Sequence, residues 1–404
     1  MKSVKTLSIF GLISVVGLTS FWLAGNKDKL SDCPQVASTV QVGKNSVLVG
    51  NRALLKDTIN LPLSELTADL QIVKLDPADN ALVGNGYALV TDNYILVKGQ
   101  RQNPYKLFDK KGKFLNAIGA FGQGPGEYQN VYHEQLDEKK GRVYLLPWQS
   151  DKILVYDLKG NVLDPIRLPM NVPKGKFFVD PSNATVSVFA LPWTGNKYVA
   201  WNQKLTGEVN AGIEPGFLAI NPRNANGQFS GFNHEVNSDQ NSPNLLNVFF
   251  FTFDPRPDTL YHYDTKTNKL LPQFTVNFGK EKLPIHSYTE LPNHFLVYVS
   301  EPKQISETET VTQDHRNFIV EKKTQKGAFI RLKNDFLGNA DIWPSFSNGY
   351  FSQNMDPGRL RDELEKILTT NKNLSNAMRS KLTGLKNSIT ENDNNYILYA
   401  KLKK

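Results

Sequence analysis

The chain has 404 residues, 40% of them hydrophobic, which is enough to bury a large core. Its 47 basic and 39 acidic residues give a formal charge of +8, but the excess is scattered over turns and forms no basic stripe, so we expect no nucleic-acid partner. The single cysteine, Cys33, excludes an internal disulfide framework and a cysteine-based zinc site.

The first 25 residues predict export from the cytoplasm. Lys2 and Lys5 precede an uncharged, mostly apolar run over 7–25 that is long for a signal-peptide core and long enough to span a bilayer. Three fates of this segment stay open: a retained membrane anchor, a cleaved signal peptide, or lipid attachment at Cys33. Each of them places the remaining chain in the periplasm or on the cell surface, and the first and third attach it to the membrane.

Residues 26–57 are polar, and we interpret them as a tether with 47–49 as one edge strand. From Thr58 onward, short apolar strands alternate closely with turns. The recurring unit is an aromatic strand end followed by Asp, a polar pair and Gly, at 107–112 and again at 155–160. Asp in the first position caps a type I turn, and Gly in the fourth accepts the left-handed backbone that follows it.

A second marker recurs in step with the first. The tripeptide Leu-Pro-Trp stands at 146–148 and at 191–193, with its Trp nine residues before the turn residue Asp157 or Asn202. A period of roughly 45 to 55 residues in β-rich units predicts a β-propeller. The segment 58–404 keeps about 300 residues after its helices are set aside, which at about 50 residues per blade predicts six blades.

The segment 358–389 breaks the β rhythm. Its apolar residues follow helical spacing with a polar break at 371–373, so we expect two helices inserted into the last blade and packed on the propeller. The run 396–402 predicts a late strand that closes the ring. The predicted fold class is therefore an all-β, six-bladed β-propeller with a small helical insertion near the C-terminus.

Three motifs resemble a family of exported six-bladed β-propellers of unknown function. They are Pro-Leu-Ser-Glu-Leu at 62–66, Phe-Asp-Lys-Lys-Gly at 108–112 and Gly-Gln-Gly-Pro-Gly-Glu-Tyr at 122–128, of which the last is the most specific. The family is similar in shape to NHL-repeat propellers, is common in gut anaerobic bacteria and often consists of lipoproteins. The resemblance covers about 58–404 and implies no catalytic residues. Asp32 before Cys33 departs from the usual lipoprotein start.

Binding residues are expected on one face of the ring. In a four-stranded blade, the loops between the second and third strands share a face with the crossings between blades, and here those loops are the longer ones. Ligand-binding residues concentrate on such loops because the scaffold holds them in place. The candidates surround the mouth of the central channel: Arg101, Gln102, Gln123, Glu127, Tyr128, Tyr132, His133, Trp148 and Trp193.

Each group of candidates has a structural alternative. Trp148 and Trp193 are either stacking platforms for a sugar or peptide or wedges between adjacent blades. Glu127 and Tyr128 either face a ligand or belong to a tight glycine-rich crossing between blades. His133 either lines the channel or is a hydrogen-bonded structural histidine. The six histidines show no spacing typical of a metal site, so we expect no metal ion.

The sequence favours a non-enzymatic binding or scaffold module of the cell envelope, with a glycan, a peptide or an envelope protein as partner and without a cofactor. The alternative is a lyase, lactonase or glycosidase that uses channel-mouth carboxylates and histidine, with or without a divalent cation. The chain has no Gly-x-Ser-x-Gly motif, which argues against a nucleophile-elbow hydrolase. Acidic and histidine side chains converging from several blades would favour the enzyme, and an aromatic or plain polar mouth would favour binding.

Overall fold

The computed structural model describes residues 16–18 and 29–404, except 100–101, 225, 254–255, 257, 280–282 and 306–309. In that part of the chain, six sheets of mainly antiparallel strands surround a channel, which confirms the predicted six-bladed β-propeller. We number the blades 1 to 6 in chain order and call the strand nearest the channel the inner strand. The long-loop face carries the crossings between blades, and the short-turn face is the opposite one.

Blades 1 to 3 each consist of four consecutive strands that run from the channel outward. The strands of blade 1 are Ala88–Val90, Tyr94–Val97, Tyr105–Asp109 and Phe114–Ile118. Those of blade 2 are Val131–Asp137, Arg142–Pro147, Ser150–Asp157 and Val162–Val172, and those of blade 3 are Lys176–Asp180, Thr185–Phe189, Ala200–Lys204 and Val209–Ile213. Each inner strand therefore begins at the long-loop face and ends at the short-turn face.

Blades 4 to 6 add strands from the N-terminal part of the chain. Blade 4 comprises Glu235–Asn237, Asn247–Phe251, Leu260–Asp264 and Lys269–Asn277, followed outward by Asn45–Asn51 and Ala37–Val42. Blade 5 comprises Ile285–Glu290, His294–Gln304, Thr310–Glu321 and Gly327–Asn334, with Thr58–Pro62 and Ala340–Asp341 paired to the last of these. Blade 6 comprises Phe346–Ser347, Tyr350–Met355, Tyr396–Lys401 and Leu70–Lys74, and Val16–Leu18 pairs with the outermost strand.

The ring is closed by strands from both ends of the chain. Leu70–Lys74 pairs antiparallel with Tyr396–Lys401, so that Ile72 lies opposite Leu398. The predicted late strand is present, and its outer partner comes from the start of the propeller. Closure of this kind protects sheet edges that would otherwise be open to association with other chains.

Part of the segment 26–57, interpreted as a polar tether, belongs to the propeller instead. Ala37–Val42 and Asn45–Asn51 form a hairpin, and the second of these strands runs parallel to the outer strand of blade 4, with Leu48 opposite Phe274. The strand Ala37–Val42 lies at the outer edge of blade 4, where five of its six residues are exposed and three of them are polar. That composition is similar to the composition of a tether, which explains the error.

The core lies between the blades. Among the described residues, buried apolar side chains form six clusters, each shared by two neighbouring blades. Phe274 of blade 4 and Phe295 of blade 5, for example, stack with ring centroids 4.3 Å apart. Burial of such a side chain contributes about 1.5–3 kcal/mol, so each blade depends on its neighbours for stability.

The recurring turns join neighbouring blades, which explains why the sequence repeats them. The Asp157 carboxylate accepts two backbone N–H groups of its own turn at 2.9 Å each. Gly160 has φ +84°, and a Cβ there would lie 2.3 Å from the carbonyl oxygen of Ala117 at the edge of blade 1. In blade 4, Asn268 takes the place of the glycine, and its Nδ2 donates to the carbonyl of Gly212 in blade 3 at 3.1 Å.

The helical insertion is confirmed between the second and third strands of blade 6. It consists of Pro357–Thr370 and Asn376–Ser388, and the side chains of Asp356 and Ser375 cap the two N-termini. The shorter helical segments are Leu63–Leu66, Arg52–Leu54, Asp79–Ala81, Gly216–Leu218, Gly231–Asn233 and Asp335–Leu337. The insertion packs on blades 5 and 6 through Leu360, Leu364, Ile367 and Leu382.

Candidate functional site

A cavity of about 360 Å³ occupies the central channel, and every blade contributes to its wall. We call it the channel cavity. The inner strands of blades 1 to 6 supply, in order, Leu89, Glu134, Lys176, Asn237, Thr289 and Ser347. Only the closed ring brings these residues together, because they are spread over most of the chain.

Two lysines lie at the long-loop end of the channel cavity. Lys98 follows the second strand of blade 1, and its Nζ donates to the backbone carbonyl of Val131 at 2.5 Å. Lys176 is the first residue of the inner strand of blade 3, and its Nζ donates to the backbone carbonyl of Tyr132 at 3.3 Å. Burial lowers the pKa of Lys176, nearby carboxylates oppose this effect, and repulsion from Lys98 adds to it.

Two carboxylates lie deeper in the channel. Glu134 is in the middle of the inner strand of blade 2 and accepts a hydrogen bond from the Tyr105 hydroxyl at 2.9 Å. Asp239 follows the inner strand of blade 4, towards the short-turn face. Burial raises the pKa of Asp239 to about 7 despite the opposing charge of Lys176, and Glu290 raises it further.

Among the described residues, these four charged groups are not neutralised by ion pairs. In the part of the chain that the structure describes, no ion pair within 4.0 Å includes Lys98, Lys176, Glu134 or Asp239. Charges in an enclosed space are normally paired, because removing them from water is costly. Four charges from four blades, gathered without pairing around one cavity, are available to a polar ligand.

A second cavity of about 310 Å³ adjoins the first between blades 1 and 2, and both are lined by Lys98 and Tyr132. We call it the side cavity. Its other walls come from the long loops that the sequence singled out, through Gly99, Asn103, Gln129 and Asn130. The Tyr132 ring therefore lies where the two cavities meet, and the indole of Trp148 packs against it with centroids 5.3 Å apart. Trp148 itself lines neither cavity.

Glu127 and Tyr128 have structural contacts within the crossing from blade 1 to blade 2. The Glu127 carboxylate folds back on its own loop and accepts the N–H of Gly124 at 2.8 Å. The buried Tyr128 hydroxyl donates to the carbonyl of Ile118 at 2.7 Å and accepts the N–H of Tyr105 at 2.9 Å. The Tyr156 hydroxyl of blade 2 donates to the carbonyl of Gly126 at 2.7 Å, so the Gly-Gln-Gly-Pro-Gly-Glu-Tyr motif contacts both blades.

His133 and Trp193 are also engaged inside the protein. His133 is buried between blades 2 and 3, where its Nδ1 accepts the backbone N–H of Phe177 at 3.2 Å. Burial lowers the pKa of His133 well below its usual value, and Lys176 and Lys98 lower it further. The buried Trp193 indole donates to Nδ1 of His234 at 3.0 Å within the core between blades 3 and 4.

The remaining candidates lie on the loops. Gln102 is exposed in the loop between the second and third strands of blade 1, and Gln123 is exposed in the crossing from blade 1 to blade 2. Neither of them lines the channel cavity or the side cavity. Arg101 lies outside the described residues. Of the nine candidates, Tyr132 and His133 line the channel cavity, and Tyr128 and Tyr132 line the side cavity.

The charged residues of the channel were not identified from the sequence. One signal was present for Glu134, because alternate residues of a strand share a side and Glu134 is two positions after Tyr132. Lys98, Lys176 and Asp239 lie just beyond strand ends or at strand starts, on three different blades. Nothing in their local sequence distinguishes them from solvated turn residues.

Cys33, the candidate for lipid attachment, lies half-buried against the core between blades 5 and 6, and its Sγ is 3.5 Å from the carbonyl of Lys29. Nearby Leu30 is only 2% exposed and belongs to the same core. Within the described residues, no helix is long and apolar enough to cross a membrane. The same residues contain no group of three or more His, Cys, Asp or Glu side chains arranged for a metal ion.

Comparison with known proteins supports the predicted family and fold. The profile of a family described as a domain of unknown function, DUF4934, matches residues 47–401, whereas no curated protein matches significantly. A "Putative exported protein" from Bacteroides fragilis NCTC 9343 is similar to 87% of this chain over 99% of its own length, with 17% identity and a TM-score of 0.56. A member of the DUF4221 family from Bacteroides vulgatus ATCC 8482 aligns with 84% of this chain over 97% of its own length, with 11% identity and a TM-score of 0.47.

Proposed function

The chain belongs to the DUF4934 family, whose function is unknown, and from its channel we propose that it is an exported, non-enzymatic binding module for a polar ligand. One observation carries the proposal. Lys98, Glu134, Lys176 and Asp239 come from four different blades, surround one cavity of about 360 Å³ and are free of ion pairs among the described residues. A preformed concave site with a few convergent polar groups is typical of small-ligand binding.

The ligand is a glycan or a peptide that enters from the long-loop face. Tyr132 lines both the channel cavity and the side cavity, Trp148 packs against its ring, and Nζ of Lys174 lies 5.8 Å from the ring centroid. An aromatic ring backed in this way is a rigid surface for stacking at small cost in conformational entropy. In this proposal Trp148 supports the Tyr132 ring, a role different from both alternatives considered for it, the stacking platform and the wedge between adjacent blades.

We propose that the protein works in the cell envelope, which the charged and apolar N-terminal pattern and the name of the similar Bacteroides protein support. Lipid attachment at Cys33 would require cleavage before that residue and would remove Leu30 from the core. We therefore propose that Cys33 stays unmodified in the exported protein. A mass spectrum of the N-terminal peptide tests this: an unmodified peptide that contains both residues is expected, and a lipidated Cys33 as the first residue would refute it.

Glycan and peptide arrays, followed by titration of the best ligand, test the binding function. We expect a ligand whose affinity falls at least about fivefold in Tyr132→Ala, consistent with loss of about 1 kcal/mol of stacking, and falls less in Trp148→Ala. Phe217→Ala is the matched control, because Phe217 is an aromatic residue of the same face, 86% exposed, and lines neither cavity. Absence of any ligand, or equal affinity in Tyr132→Ala and wild type, would refute the proposal.

Acid–base catalysis in the same channel is the second candidate, and one observation favours it. Asp239 has a pKa of about 7, so its carboxyl can bind or release a proton near neutral pH, and it shares the cavity with a second carboxyl group, that of Glu134. The test is to incubate the bound ligand with the protein and to look for cleavage by mass spectrometry. Turnover that is lost in Asp239→Asn would replace the binding proposal with this one.

A further inference from the structure

We infer that the ligand of the channel is an anionic saccharide, with its acidic group between Lys98 and Lys176 and a sugar ring against Tyr132. This inference rests on the proposed binding function and adds the chemical class of the ligand. It follows from the order of the charges along the channel, the hydrogen-bonding capacity of the two lysines and the chemistry of the neutral wall.

The charges change sign along the channel axis. Lys98 follows a second strand and Lys176 begins an inner strand, and both positions lie at the long-loop face. Glu134 is halfway along its inner strand, and Asp239 lies beyond the end of another, towards the short-turn face. Of the charged residues that line the cavity, a ligand entering between the long loops therefore meets the two lysines first and the two carboxylates beyond them, while Lys174 and Glu235 at the same end form an ion pair with each other. This order favours an anionic group at the mouth.

The two lysines are close to each other and have spare donors. Their Nζ atoms donate to the carbonyls of the adjacent residues Val131 and Tyr132, and the two charges are near enough for Lys98 to lower the pKa of Lys176. A lysine ammonium has three N–H donors. Among the described residues each of these ammonium groups has one acceptor, which leaves two donors on each for an acidic group of the ligand.

The neutral part of the wall suits hydroxyl groups. Asn237, Gln240 and Ser345 line the channel cavity, and within the described part of the chain their side chains have no hydrogen-bond partner. Amide and hydroxyl side chains can both donate and accept hydrogen bonds. Without protein partners they are free to bind the hydroxyl groups of a sugar, which also donate and accept. A peptide would instead need apolar pockets for its side chains, and few apolar residues line this cavity: Leu89, Leu136, Pro344 and Phe346.

Titration of the exported protein with trigalacturonic acid and with galactotriose tests the inference, because the two probes differ in their carboxylates. We expect the acidic probe to bind at least about tenfold more tightly at low salt, since hydrogen bonds between an ammonium group and a carboxylate are stronger than those between neutral groups. The preference should shrink as NaCl is added, because salt screens the attraction. In Lys98→Met/Lys176→Met the two probes should bind equally.

Two further variants separate charge from packing. Lys176→Arg keeps the positive charge and should keep the preference, and Lys140→Met, an exposed lysine in a turn of the short-turn face, should leave both affinities unchanged. The comparison of the two probes on wild type needs no variant, so the inference stays testable if the double variant does not fold.

The outcomes separate the inference from the proposed function. Equal binding of both probes, with dependence on Tyr132, would overturn the inference and leave the binding function intact. Binding of an array peptide but of neither saccharide would do the same. Absence of binding to saccharides and peptides alike would overturn both.

Discussion

Two charged clusters in this propeller have similar composition and opposite arrangements. Glu290, only 2% exposed, lies 2.8 Å from Nε2 of His262 and 2.7 Å from Nζ of Lys322, so its carboxylate has a partner at each oxygen. In the channel, Lys98, Lys176, Glu134 and Asp239 form no such pairs among the described residues. The first cluster fastens neighbouring blades, whereas the second leaves its charges available.

The pKa directions follow from this difference. Burial alone would raise the pKa of Glu290, but His262 and Lys322 hold it below its usual value. In the channel, burial prevails: it raises the pKa of Asp239 and lowers that of Lys176. A charged group that the fold penalises in this way is a candidate functional residue, because selection for stability alone would pair it or remove it.

The largest effect is expected from breaking the paired cluster. Glu290→Ala leaves Lys322 and His262 without their carboxylate, and loss of one partner of a buried pair costs about 3–5 kcal/mol. Urea unfolding at pH 7 measures this loss. Because the folded-state pKa is lowered, the stabilisation is complete above pH 4.5 and declines as the pH falls through the folded-state value.

The control for this experiment is an ion pair of the protein surface. Glu208→Ala removes the partner of Lys204 at 2.7 Å, but the two side chains are 66% and 53% exposed, so we expect a loss below about 1 kcal/mol. Equal losses in Glu290→Ala and Glu208→Ala would show that the paired cluster does not fasten the blades.

In the channel we expect a substitution of Asp239 to raise the free energy of unfolding, by less than the loss of Glu290 lowers it. The pKa of Asp239 is about 7 in the folded state against 3.8 ordinarily, so the folded protein loses stability as the pH rises from about 4 to about 7. Lys176, Glu290 and the Tyr87 hydroxyl interact electrostatically with this carboxyl, which also accepts hydrogen bonds from the Thr289 side chain and the Glu290 backbone. Asp239→Asn should be more stable than wild type by about 1–4 kcal/mol at pH 8 and nearly equal to it at pH 4.

Unfolding curves at these two pH values check the prediction. Lys176→Met should not give the same pH profile, because it removes the cation and keeps the carboxyl. If Asp239→Asn were instead less stable than wild type at pH 8, the carboxylate would be part of the fold, and the contrast between the two clusters would fail.

Much of the fold could be predicted from the sequence, because the repeated motifs are residues that a turn requires for local chemical reasons. The turn at 155–160 needs Asp for its cap and Gly for its left-handed backbone, and both are visible without a structure. The helices at 358–389 were visible from their spacing. Of the hairpin at 37–51 only the strand at 47–49 was predicted, because outer strands are largely exposed and their pairing with blade 4 is not encoded locally.

The site was less accessible to sequence reasoning because the ring assembles it from distant segments. Glycine-rich and tryptophan motifs drew attention to Tyr128 and Trp193, yet both are buried and hydrogen-bonded. The face was inferred from loop length, and the side cavity does lie among those long loops. Lys98 and Asp239, by contrast, can be recognised as site residues only when the closed ring places them in the same cavity.

One paired measurement tests the central claim that the unpaired channel charges serve a ligand rather than the fold. It is the free energy of unfolding of Lys98→Met/Lys176→Met together with its affinity for trigalacturonic acid. We predict a stability within about 1 kcal/mol of wild type and an affinity at least about tenfold lower. A stability loss above about 3 kcal/mol with unchanged affinity would contradict the account, because the lysines would then belong to the fold.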